Sequence, residues 1–115
     1  MNSQLTVYKA SAGSGKTFTL AREYMTLVIA NPYSYRTILA VTFTNKATEE
    51  MKTRILSQLY GIAHGLEESH GYLEQIKKAL PHLTQKQIEK NAGTALSLLI
   101  HNYNYFRVET IDTFF

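Results

Sequence analysis

A run of small residues near the start, Ala10-Ser-Ala-Gly-Ser-Gly-Lys-Thr17, leaves few folds open to this chain. Before it, Leu5 to Tyr8 alternates and reads as a short strand. After it, Leu20, Ala21, Tyr24, Leu27 and Val28 recur at helical spacing, which predicts a helix from Thr17 to about Ala30, ended by Asn31-Pro32. A strand that turns through glycines into a helix N-terminus is the physical recipe for holding phosphate. The glycines let the backbone turn and bring N–H groups against phosphate oxygens, and the helix dipole points its positive end at the anion. Lys16 can reach the β- and γ-phosphates, and the Thr17 hydroxyl can ligand Mg²⁺. The pattern is G-x-x-x-x-G-K-[ST] with Ala10 at its first position. The expected nucleotide contacts are Ala12, Gly13, Ser14, Gly15, Lys16, Thr17 and Phe18, with Lys16 and Thr17 closest to the chemistry and Thr17 the metal ligand. The alternative is a Gly/Ser turn whose Lys and Thr are simply exposed. The motif is specific for a nucleoside triphosphate and silent on what is done with it.

Further along, Thr37-Ile-Leu-Ala-Val-Thr-Phe43 is an almost unbroken apolar run with β-branched residues, as in a buried parallel strand. Strand, helix and strand make a right-handed βαβ unit. A second helix carries Ala47, Met51, Ile55 and Leu59 on one face and Glu49, Glu50, Lys52 and Arg54 on another. Gly61 to Gly71 reads as a break, Tyr72 to Leu80 as a short third helix ended by Pro81. Thr84 with Gln87 is a capping box that opens a fourth helix bearing Ile88, Ala92, Ala95, Leu96, Leu98 and Leu99. Phe106 to Ile111 alternates and predicts a third strand. The expected class is α/β, a parallel sheet with flanking helices. Three short strands leave edges and faces uncovered, so the expectation is the first part of a larger domain, with room for self-association along an open edge.

Composition narrows the setting. At 115 residues the chain is one small domain, 44% hydrophobic and 18% charged. It has no cysteine, which excludes disulfides and thiolate metal sites. The opening residues carry no apolar signal core, and the longest apolar stretch, around Leu27 to Ala30, is too short to span a bilayer, so no membrane partner and a cytoplasmic setting are expected. A net charge of +3 permits an anionic partner without requiring one. His64, His70, His82 and His101 have no metal-ligand spacing. Asn102-Tyr-Asn-Tyr-Phe106 reads as helix end and strand entry, with a base-stacking platform as the alternative.

The phosphate loop and the two later stretches together resemble the superfamily 1 DNA helicases of the UvrD/Rep type. That family's loop typically begins with Ala, as Ala10 does here. Ala40-Val-Thr-Phe-Thr-Asn-Lys-Ala47, followed by Glu50-Met51 and Arg54-Ile55, is similar to its motif Ia. Thr110-Ile-Asp-Thr-Phe114 is similar to motif Ib, with Asp112 where the family often has His. Lys9-Ala-Ser-Ala-Gly13 with Phe18-Thr19 is closest to the RecB/AddA helicase-nuclease branch. The motifs span nearly the whole chain in family order, although the middle, Gly61 to Tyr105, matches nothing specific. The resemblance implies a RecA-like P-loop fold, with residues 1–115 forming the N-terminal part of the ATP-binding domain of a 3′→5′ single-stranded DNA translocase. ATP and Mg²⁺ are its implied cofactors. Thr42, Phe43, Thr44, Asn45, Lys46, Thr110 and Asp112 are the implied DNA contacts. For Thr42 to Lys46 the bland alternative is that Phe43 is core and Asn45 caps the next helix.

A working NTPase also needs an acidic metal-holding residue and a water-orienting base. The family's Asp-Glu pair, arginine fingers and upstream glutamine motif have no counterpart here. Asp112 is the one position resembling a metal carboxylate, but Arg107 and Glu109 interrupt the strand before it. The chain alone is therefore expected to bind ATP without turning it over. A stand-alone nucleotide-binding module and a small P-loop kinase are the competing classes.

Overall fold

A computed structural model of the chain describes residues 6–10 and 14–111, with side chains from residue 18 to 111. Strand β1 (Thr6–Ala10) leads to helix α1 (Ser14–Ala30). A 3₁₀ turn at Pro32–Thr37 then feeds β2 (Ile38–Thr42) and α2 (Asn45–Ala63). Helices α3 (His70–Ala79) and α4 (Gln85–His101) follow, and β3 (Arg107–Thr110) completes a three-stranded sheet of order β1-β2-β3. Both pairings are parallel, and β2 in the centre is buried along its whole length. A central parallel strand has neighbours on both sides and layers on both faces, which is why its sequence is continuous Ile-Leu-Ala-Val rather than alternating.

The core lies where α1, α2 and α4 meet over the sheet. Tyr24, Met25 and Ile29 of α1, Ile55 and Leu59 of α2, and Leu99 of α4 are all fully buried. The small faces of Ala92 and Ala95 let α4 lie close to its neighbours. Asn91 of α4 donates to the carbonyl of Ile29 at 2.8 Å and so satisfies one of the orphan acceptors at the end of α1. The capping box forms as its sequence predicts. The Gln87 amide donates to Thr84 Oγ1 at 3.1 Å, and the Thr84 amide donates to Gln87 Oε1 at 2.8 Å.

Gly61 does not begin a break. Helix α2 runs through it to Ala63, and Gly61 is buried under Ser69, whose Oγ leaves no room for a side chain there. The terminator is Gly65, at φ 67°. Around it the Leu66 amide donates to the Gly61 carbonyl at 2.8 Å and the Gly65 amide to that of Ile62 at 3.2 Å, the Schellman arrangement. After a 3₁₀ turn at Glu67–Ser69, α3 starts two residues before the expected Tyr72. Tyr33-Ser-Tyr35 lies in the 3₁₀ turn with Tyr35 buried and Tyr33 exposed. Asn102 to Phe106 is helix end and strand entry, as its pattern predicts. Its exposed rings are covered by cations, Arg36 standing 4.4 Å over Tyr105 and Lys52 4.7 Å over Tyr103.

Candidate functional site at the carboxyl edge of the sheet

Parallel strands all end on one side, and register decides what stands beside what. Here Ala10 pairs with Thr42, and Thr42 with Thr110. Three stretches far apart in the sequence therefore leave the sheet in a row, at the edge where open α/β sheets bind ligands.

From Ala10 the chain reaches the first turn of α1, Ser14-Gly-Lys-Thr17. The first amides of a helix have no carbonyl of their own helix to bond, and this first turn carries no acidic residue to occupy them. Ala12, Gly13 and Asp112 lie outside the described residues, as do the side chains of Ser14, Lys16 and Thr17. Phe18, at the end of the expected nucleotide stretch, is half-buried and stacks on Tyr72 of α3, with ring centroids 4.1 Å apart and 19° between planes.

The Thr42 to Lys46 segment is fixed by threonine hydroxyls. Thr42 is buried, and its Oγ1 lies 2.6 Å from Thr48 Oγ1 in a shared hydrogen bond. Thr48 also donates to the Thr44 carbonyl at 3.3 Å, tying the turn to the first turn of α2. Thr44, rather than Asn45, is the N-cap, since its Oγ1 accepts from the Ala47 amide at 3.0 Å. This frees Asn45, which is exposed together with Lys46 on a first turn without acidic residues. Phe43 is not a core residue. It is 49% exposed, because it sits where the buried strand has ended and the helix has not yet begun to pack. Thr110 is buried at the same edge.

The edge thus presents a half-exposed ring, an amide and an ammonium beside a helix N-terminus, with Thr42 and Thr48 beneath them. Thr48 was not legible as a site residue, because a threonine one turn inside a helix looks like any other. An open depression of about 630 Å³ along α2 is lined by Glu49, Glu50, Thr53, Arg54, Ser57 and Gln58. With its two carboxylates it is a poor host for phosphate and lies apart from residues 42–46. The groups with shifted proton affinity are elsewhere. Burial pushes the Tyr24 hydroxyl far up, with Tyr35 adding to it, and Tyr24 packs on Phe106 before β3. Arg36 is raised by its hydrogen bond with the Tyr35 hydroxyl. Among the described residues no three His, Asp or Glu side chains cluster as a metal site would require.

Residues 1–114 match the family described as the UvrD/REP helicase N-terminal domain. The chain belongs to that family. Among curated relatives, the RecBCD enzyme subunit RecB of Borreliella burgdorferi is 35% identical over 95% of this chain and 9% of its own length. An ATP-dependent helicase/nuclease subunit of Clostridium novyi is 34% identical over 87% of this chain and 8% of its own. The ATP-dependent DNA helicase UvrD1 of Mycobacterium leprae is 52% identical over 40% of this chain and 6% of its own. The chain therefore spans less than a tenth of the length of these relatives. No solved structure matches it. The resemblance read from the phosphate loop and motif Ia, near the RecB side of the UvrD-type helicases, agrees with this membership. No described helix is long and apolar enough to cross a membrane.

Proposed function

We propose that this UvrD/REP N-terminal domain binds Mg²⁺-ATP on the loop from Ala10 to Thr17 and contacts single-stranded DNA with the segment that leaves β2. The assembly it serves is an ATP-dependent 3′→5′ DNA helicase or helicase-nuclease of DNA repair and recombination, working in the cytoplasm, on a RecA-like P-loop sheet. The observation that carries this reading is the register Ala10, Thr42, Thr110, which supports a nucleotide loop and a DNA segment working side by side. Lys16 pairs with the β- and γ-phosphates, and Thr17 is the residue that would ligand the Mg²⁺ arriving with the nucleotide. The metal's part is to neutralise developing charge on the phosphates.

Each DNA contact has its own chemistry. Phe43 offers a ring face for a base, Thr44 and Asn45 offer polar groups to the backbone, and Lys46 offers a charge to phosphate. Thr42 acts from beneath, holding the turn through Thr44 and Thr48, with Thr110 beside it in the sheet. Asp112, which follows β3 in the sequence, is a further proposed contact.

Calorimetry with Mg²⁺-ATP tests the first half. Wild type is expected to bind and Lys16→Ala to lose binding, with no steady-state hydrolysis by the chain alone. Equal affinity in both proteins would sink the reading, and phosphate transfer to a small acceptor would point to a kinase instead. Titration with an oligothymidylate tests the second half. Phe43→Ala is expected to lose roughly 1–3 kcal/mol of affinity, and Lys46→Ala to reduce the salt slope by about 1. Unchanged DNA binding in both variants would remove motif Ia from the interface.

A further inference from the structure

The Phe18–Tyr72 stack joins the phosphate-loop helix to a part of the chain that no motif explains. Phe18 directly follows Thr17, and its amide is among the first in α1 able to close onto a carbonyl of the same helix. Its ring lies nearly parallel to that of Tyr72, 4.1 Å away. Tyr72 is 5% exposed, and its hydroxyl accepts from Arg54 Nη1 of α2 at 3.3 Å. Arg54 thereby anchors the hydroxyl end of the tyrosine ring, and the ring packs against Phe18. Three helices meet at this point, and in α1 the turn next to Phe18 is the one whose amides have no acceptor within their own helix.

We infer that Tyr72, oriented by Arg54, is a positioning residue for the phosphate loop. It sets the first turn of α1 through Phe18 so that the amides and Lys16 are ready for the nucleotide. The inference rests on the nucleotide-binding reading above. It also gives the segment after Gly61 a role, since α3 is then a brace for the nucleotide site rather than a spacer between motifs. Tyr72 touches no nucleotide and acts only through Phe18. A ring stack of this kind corresponds to roughly a two- to tenfold change in an equilibrium.

Two readouts on the same chain test it. Hydrogen exchange is followed at the amides from Phe18 to Arg22 and, as reference, at those from Ala92 to Leu99 in α4. Mg²⁺-ATP affinity is measured in parallel. Tyr72→Leu keeps apolar volume but loses the ring. It is expected to speed exchange in α1 roughly three- to tenfold relative to α4 and to weaken Mg²⁺-ATP binding by a similar factor. Tyr72→Phe keeps the ring but loses the bond from Arg54, and like Arg54→Met it is expected to fall between wild type and Tyr72→Leu in both readouts. Phe18→Leu, at a half-buried position, gives the same test should Tyr72→Leu not fold.

An equal rise in exchange at α1 and α4 would mean general loss of stability and would overturn the inference. So would faster exchange at α1 with unaltered nucleotide affinity, which leaves a structural stack only. If wild type and Lys16→Ala alike fail to bind Mg²⁺-ATP, the phosphate-loop reading itself falls and the positioning role falls with it. That outcome is told apart by the lysine control.

Discussion

Tyr24 shows what a buried hydroxyl costs. Its ring fills the core against Phe106, with centroids 5.4 Å apart, but its oxygen has no hydrogen-bond partner among the described residues. Removing an unsatisfied buried group recovers its desolvation cost, so Tyr24→Phe is expected to raise stability by about 1 kcal/mol in urea unfolding. A loss of stability would show that the hydroxyl is satisfied after all. The same oxygen gives a pH signature. Its folded-state pKa is raised by burial above the ordinary value of 10.0. The folded state therefore holds the proton more tightly, and the contribution is complete below about pH 10 and declines as pH climbs towards the folded value. Tyr24→Phe should accordingly show a shallower alkaline loss of stability above about pH 10 than wild type. None of this was legible in the sequence, where Tyr24 is one more apolar position on a helical face. The same holds at the site. The residue types of Thr42 to Lys46 mark a strand end and helix start, but which threonine caps the helix depends on backbone angles that the letters do not carry.

At the scale of elements, the capping box and the buried central strand were legible because each is a local pattern with a local cause. The end of α2 was not. Gly61 looks like a helix breaker, yet it is a contact glycine, and the left-handed turn belongs to Gly65. A glycine chosen for close approach and one chosen for positive φ are the same letter, and only the position of Ser69 separates them. Two substitutions distinguish these uses. Gly61→Ala gains about 1 kcal/mol of helix propensity but drives a methyl into Ser69, whose hydroxyl donates to Gln58 at 2.8 Å. A net loss of about 1–3 kcal/mol is expected in thermal or urea unfolding. Gly71→Ala in α3, with nothing within 4 Å, is expected to gain about 0.5–1 kcal/mol. A stabilised Gly61→Ala protein would mean that Ser69 moves aside freely.

For the whole molecule, three separate motifs become one edge only through register, which no local pattern prints. The strands were legible in one apolar run and two alternating ones, and their parallel direction in the strand-helix-strand order, whereas their order in the sheet was not. What keeps the edge assembled is the helical layer, because α2 packs against α1, α4 and β3 at once. Ile55, fully buried at that junction, is the position where truncation should be felt everywhere. Ile55→Ala is expected to cost about 2–5 kcal/mol, with circular dichroism and tyrosine fluorescence lost together in one transition. Separate transitions for helices and sheet would show that the layers fold independently.

The all-parallel order also governs how the chain comes into being. No strand has a hairpin partner among the described residues. Thr6 must find Ile38 across a helix, and Leu39 must find Arg107 across three. Such pairings form late, after loop closure over long stretches. On the ribosome, at roughly 5–20 residues per second, the apolar side of β2 waits on the order of several seconds before β3 has been made. During that interval Leu39 and Val41 stand at an open strand edge, ready to pair with another nascent chain. A protein organised around β2 is thus most vulnerable in its youth, and chaperone dependence during synthesis is the expected consequence of collecting its motifs on a single edge.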